Sequence, residues 1–371
     1  MSPRLARLAP VLAGWLVLCA PLALGLGEDA APCSEEATPD AVPAGASLAP
    51  AFERVLEGRP LPTAFDLDLG GAGGTGPGDE PPSSETVRKP KVVLIAALTA
   101  VALAGSAFNA FDEKPRYPWH YTNEGWFGQD TYAGGADKAS HFVSYYAVAR
   151  LMKEAYRGAG MSDSSAILLA TGTSIAAGFA TEIGDGTNKY GFSWQDIIAD
   201  SFGAAAGYAV MKTKTEDLVG FRFGLVPAPD PNAGGLGKDY SEEIYTADFK
   251  IAGLGRRMRF NAGPAKFFLL SLTYGSKGYP YSDPVVRQRQ VGIELGVNFR
   301  EVLTALHVPP QKWWGVVLYT FFDLVRFPYT AWGFRYDLNH DKWYGPDTGD
   351  SFPNSGFTSL RGAGPRPSGR R

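Results

Sequence analysis

The sequence predicts an α+β protein in which a membrane-associated helical module precedes a small antiparallel β meander, because the hydrophobic period changes partway along the chain. Between residues 139 and 212 apolar residues recur at helical spacing. Beyond Thr215 the period becomes two, as where Val291, Ile293, Leu295 and Val297 alternate with Gly292, Glu294, Gly296 and Asn298. A third pattern precedes both: residues 92–111 carry no charge, a length that fits either a bilayer span or a buried apolar helix.

The flanks are expected to be unstructured or removed. Arg4 and Arg7 followed by an apolar run have the layout of a signal peptide over 1–27. Residues 28–90 are rich in Ala, Pro and Gly, with too little apolar surface to offset chain ordering, and are expected to be a disordered linker. A tail of similar character follows from 346. Leu18 precedes Cys19 and Pro32 precedes Cys33, and neither fits the small residue that a lipid-attachment box requires. Cleavage of the signal leaves Cys33 alone, which excludes an intrachain disulfide. A formal net charge of −3 without a basic stripe argues against nucleic acid.

Within the predicted module, 113–214, three helices can be drawn. The first covers about 139–156; the second begins at Asp163 as N-cap and runs to Ile183. The third begins at Ser193, with Asp196 completing an approximate capping box, and ends near Lys212. Ala170, Ser174 and Gly178 give the second helix a stripe of small residues that permits close helix contact. In the β-rich region, 215–345, four or five strands are countable, too few for a closed membrane barrel. Trp313, Trp314, Phe321 and Phe322 lie on an aromatic amphipathic helix suited to a membrane interface or to packing on the sheet.

The polar residues of the otherwise apolar module fall in pairs at helical spacing: Asp137 with His141, Glu182 with Asp185, and Asp196 with Asp200, with Lys138 beside the first. If the pairs converge, five carboxylates meet one lysine and one imidazole, and such a group must be neutralised in low dielectric. Either protons are held at raised pKa, which suits acid/base work with His141, Lys138 and Asp196 as catalytic candidates, or a divalent metal sits among His141, Glu182, Asp185, Asp196 and Asp200. Taken singly the same residues serve as caps and dipole partners. His120, His307 and His340 are isolated, and no phosphate loop, dinucleotide fingerprint or HExxH pair is present.

The run Asp137-Lys138-Ala139-Ser140-His141-Phe142, then Glu182-Ile183-Gly184-Asp185, then Phe192-Ser193-Trp194-Gln195-Asp196 with Asp200 and Gly203 to Tyr208, resembles the YfiM-type predicted periplasmic lipoproteins, a family of unknown role. The approach Trp119 to Gly128 and the later Gly275-Ser276-Lys277-Gly278-Tyr279 resemble longer members. The resemblance implies a cell-envelope, periplasm-facing location and marks Asp137, Lys138, His141, Glu182, Asp185, Trp194, Asp196 and Asp200 as motif positions. A looser similarity to VanZ-like membrane proteins implies a polar site at the membrane. Two functions follow as expectations: a non-enzymatic envelope protein binding membrane lipid or a protein partner, or a metal- or acid/base-dependent membrane enzyme acting on a lipid or cell-wall headgroup.

Overall fold

Two serines fix where two of the module's helices begin. The computed structural model describes residues 91–112, 115–225, 240–241, 243–279 and 287–348; the expectations for 1–90 and 349–371 lie outside them. Helix α1 is Val92–Asp112, α2 is Ala136–Gly158, α3 is Asp163–Asp185 and α4 is Trp194–Lys212. The hydroxyl of Ser193 accepts the Asp196 amide at 3.3 Å and starts α4 where expected. At α3 the cap is Ser162, whose Oγ accepts the Ser165 amide, so Asp163 is the first helical residue and not the cap. There it complements the dipole and pairs with Arg157.

The small-residue stripes set how closely these helices approach. A Cβ at Gly203 of α4 would lie 2.1 Å from the Phe142 carbonyl of α2, and one at Gly178 of α3 would lie 2.5 Å from Asp200 Oδ2. Ser174 on the same α3 stripe donates to the Tyr145 carbonyl at 2.6 Å. The core between α1, α2 and α3 is Leu98, Met152, Tyr156, Ala166 and Ala170, threaded by a polar line in which the Tyr156 hydroxyl meets Thr99 at 2.6 Å and Thr173 at 2.9 Å. Helix α1 buries Leu98 and Ala110 but exposes Val92, Val93, Val101 and Phe108. Among the described residues, α3 is the helix whose length and composition would suffice to cross a membrane. It packs on α1, α2 and α4 and serves as the core helix of the bundle.

After α4 come β1 (Val219–Leu225), β2 (Glu243–Lys250), α5 (Ile251–Met258), β3 (Phe268–Lys277), β4 (Gln288–Val297), α6 (Phe299–Ala305), α7 (Trp313–Leu324), β5 (Val325–Arg326), β6 (Ala331–Asp337) and β7 (Lys342–Asp347). Strand β2 ends at Lys250, and Ile251 opens α5 directly. The α+β class holds, but the meander of four or five strands becomes a mixed sheet of seven in the order β5-β1-β2-β3-β4-β6-β7. All pairs are antiparallel except β1 with β5. Strand β7 also runs into the segment expected to be tail.

The sheet is turned inside out relative to an ordinary half-buried sheet. Register places Leu270, Leu295 and Trp332 side by side on one face, and Leu272, Ile293 and Phe334 beside them; all six are exposed. The opposite face carries Arg222, Asp248, Ser271, Gln290, Glu294, Arg335 and Asp337, every one buried. That face is enclosed because the sheet curls. Arg326 on β5 is four strands away from Glu294 on β4, about 19 Å in a flat sheet, yet its Nε lies 3.1 Å from Glu294 Oε2. The Arg326 guanidinium also donates to the Thr348 carbonyl just past β7 at 2.8 Å, so the two sheet edges approach each other.

Helix α7 packs beside β1 and α2. It turns inward Asp323, which receives Lys250 Nζ at 2.6 Å and Arg300 Nη1 at 2.7 Å. Trp313 and Trp314 remain exposed at its start.

Candidate functional site

The left-handed residues Ala133, Gly134 and Gly135 deliver the chain into α2, so its first turns point Asp137, Lys138 and His141 at the neighbouring helices. Gly134 lacks a Cβ because the Tyr279 ring sits 2.4 Å from where one would be; the Gly275 to Tyr279 motif thereby packs on the mouth of the site. From α3 comes Glu182, and from the first two turns of α4 come Asp196 and Asp200. The convergence hypothesised from spacing is present for these six residues.

Lys138 Nζ lies 2.6 Å from Asp137 Oδ2 and 2.5 Å from Glu124 Oε2, and also pairs with Asp196 Oδ1. His141 Nδ1 is 2.8 Å from Asp200 Oδ1, while Nε2 faces Asp137 at 3.7 Å and Asp196 at 3.9 Å. Asp137 also accepts the Tyr240 hydroxyl at 2.5 Å. Glu182 Oε2 accepts the Ser193 amide at 3.0 Å. That bond is what a capping-box carboxylate would make, supplied here from another helix. Glu182 Oε1 and Asp200 Oδ2 are buried without a hydrogen-bond partner.

Burial pushes Glu182 up to about 9, with the Asp196 and Asp185 charges adding to the rise and His141 and the Ser193 amide opposing it. Burial and the charges of Asp137 and Asp196 likewise lift Glu124 to about 9, against the pull of Lys138. Asp137 goes the other way: burial would raise it, but the charges of His141 and Lys138, with hydrogen bonds from Lys138 and Tyr240, hold it at about 2. For His141, desolvation is outweighed by Asp200, Asp196 and Asp137, and its pKa lies well above the ordinary value. At neutral pH two of the acids therefore hold protons while the imidazole and the ammonium are charged.

Two motif residues stand apart from the centre. Asp185 accepts the Asn188 side chain at 2.6 Å and anchors the loop between α3 and α4; burial raises it to about 6 against that hydrogen bond. Trp194 is 53% exposed and meets Phe192 edge-on. Glu124 and Tyr240 are the members that spacing did not identify. Glu124 reaches the centre because the segment before it binds the 186–192 loop, His120 N to Gly186 O and Thr122 N to Phe192 O each at 2.9 Å. Its signal was its place in the Trp119 to Gly128 motif; Tyr240, more than a hundred residues on from Asp137, has no local signal.

Between the module and the apolar sheet face lies a cavity of about 500 Å³, walled by Trp126, Phe127, Phe142, Phe202, Leu272 and Tyr274, with Lys138 also contributing to its wall. The polar centre thus borders an apolar space.

Fold and site together define an α+β protein whose helical module encloses a buried centre of acids, imidazole and lysine. Residues 123–212 match the family model described as a predicted periplasmic lipoprotein, domain of unknown function 2279. This is the family the YfiM-type resemblance points to. The match runs from just before Glu124 to the end of α4, about a quarter of the chain; the family's description suggests a periplasm-facing cell-envelope location and names no activity. No curated protein and no solved structure matches the chain.

Proposed function

We propose that this is a membrane-associated envelope protein that lays the outward face of its curled sheet against lipid. The observation that carries the reading is the polarity of the sheet: apolar residues outside, ion pairs inside, the alternation found in proteins whose outer solvent is hydrocarbon. A protein partner would bury the apolar face equally well. The aromatic distribution favours lipid, because Trp332 lies toward one end of the strands and Tyr336 with Trp343 toward the other, bracketing Ile293 and Phe334. The exposed apolar run on β3 extends from Phe268 to Leu272, about 14 Å at 3.4 Å per residue. That falls short of the roughly 25 Å band of a spanning barrel, so contact with one leaflet is the geometry it suits. The exposed apolar surface continues past Phe249 onto Leu254 and Met258 of α5.

Withdrawing each of these half-exposed side chains from water contributes on the order of 1 kcal/mol, so half a dozen give about 6 kcal/mol, an association in the tens of micromolar. Vesicle flotation of the full chain tests this. The native protein is expected to float with vesicles, and the Leu270→Lys, Ile293→Lys double variant, which alters only exposed positions outside the cavity wall, to lose at least about tenfold in binding. Flotation unchanged in a variant with native circular dichroism would overturn the reading.

A second reading, an acid/base- or metal-dependent enzyme acting on a lipid or cell-wall headgroup, is favoured by one observation: the polar centre borders the apolar cavity at Lys138. A lipid chain in that cavity would bring its headgroup near groups of raised and depressed pKa.

A further inference from the structure

The geometry points to a divalent transition-metal site formed by His141, Glu182 and Asp200, one ligand from each of α2, α3 and α4. One ring nitrogen and one carboxylate oxygen from each of the two acids lie within 4.8 Å of one another. Two of the three residues are 1% exposed, and each leaves one carboxylate oxygen buried without a hydrogen-bond partner, Glu182 Oε1 and Asp200 Oδ2. Leaving such an atom unsatisfied costs on the order of 1–3 kcal/mol, more for a charged group, so two in one cluster call for an occupant.

The surroundings are organised as a metal shell requires. The Ser193 amide fixes Glu182 through its other oxygen, orienting the free one as an outer-shell donor does. Gly178, one turn before Glu182 on the same face of α3, is the reason Asp200 Oδ2 can enter: a Cβ there would stand 2.5 Å from it. A cation in this position would take the imidazole in place of its present hydrogen bond to Asp200.

A second group of the same kind, Asp137, His141 and Asp196, is excluded by charge. The ammonium of Lys138 already pairs with both of its carboxylates. Asp185 is excluded because its carboxylate is committed to Asn188. One imidazole and two carboxylates form a borderline donor set, suited to zinc or manganese; a calcium site would offer oxygens alone.

This assignment is independent of the lipid reading, since the three ligands do not lie on the sheet; vesicle binding and metal binding can fail separately. The test is calorimetric titration of the chelator-treated full chain with Zn²⁺. One saturable ion per chain is expected, with affinity reduced about 100-fold or more in each of His141→Gln, Glu182→Gln and Asp200→Asn, and little changed in Asp185→Asn. Absence of saturable binding, or binding that survives the three substitutions, would overturn the site. Should the substituted chains fail to fold, X-ray absorption on the native chain decides: nitrogen and oxygen neighbours at about 2.0–2.1 Å with an imidazole signature are expected, whereas a sulfur neighbour would assign the ion to cysteine and refute the proposal.

Discussion

Replacing Lys138 by methionine is expected to lower stability by about 3–5 kcal/mol, because it removes the ammonium that pairs with Glu124, Asp137 and Asp196 and leaves the buried acids only the more distant charge of His141. For a folded region of this size that corresponds to a fall in melting temperature on the order of 10 °C. The pH dependence has a definite sign. The native centre holds Asp137 at about 2, below its unfolded value, through His141 and Lys138 acting against burial. Its contribution is therefore complete above the unfolded pKa, about 4, and is lost as pH falls through 2. The gap between native and Lys138→Met should be widest near neutral pH and close in acid. Thermal melts of both proteins from pH 2 to pH 7 check this; a constant gap would show that the lysine acts through packing alone.

The Arg326→Ala substitution is expected to have an effect of similar size on the other half of the chain. Arg326 is fully enclosed and joins β5 both to Glu294 across the curled sheet and to Thr348 beyond β7. Its loss removes the guanidinium that neutralises Glu294 in the interior, with Arg335 Nη1 4.0 Å away, and about 3–5 kcal/mol should be forfeited. Hydrogen exchange should accelerate in β6 and β7, whose edge is released. Adding Glu294→Gln to Arg326→Ala should recover part of the loss, since the second change removes the stranded charge. If the two substitutions are merely additive, the pair does not hold the curl.

These effects also separate what the residues announced from what they concealed. Two of the helices were legible because each carries a start signal: Ser193 lies three residues before Asp196, and Asp163, expected as the cap, follows the true cap Ser162 by one residue. The polar centre was legible as three like-facing pairs because a helix fixes the relation of residues three and four apart. Glu124 and Tyr240 were not, since their place in the centre depends on loop contacts and on a residue just before β2, more than a hundred positions later. Asp185 and Trp194 sit in the same motifs as the central residues, and spacing could not tell that one anchors a loop and the other is exposed.

The sheet gave a different lesson. Alternation at Val291 to Val297 marked strand β4, and Trp332, Phe334 and Tyr336 alternate in the same way on β6. A period of two states which residues share a face, but not which face is covered. The ordinary expectation places the apolar face inside; here Glu294, Arg335 and Arg326 occupy the interior because they neutralise one another across the curl. That pairing joins residues on separate strands and has no local trace in the sequence.

The most direct test of the outward-facing sheet uses a spin label at Ile293 of the full chain, introduced after both cysteines are replaced by serine, with the protein bound to vesicles. Its collision rate with oxygen should exceed that with a water-soluble nickel chelate, and a label at Asp341 on the turn between β6 and β7 should show the reverse. Equal access of the nickel chelate to both labels would contradict the account and leave the apolar face to a partner other than lipid.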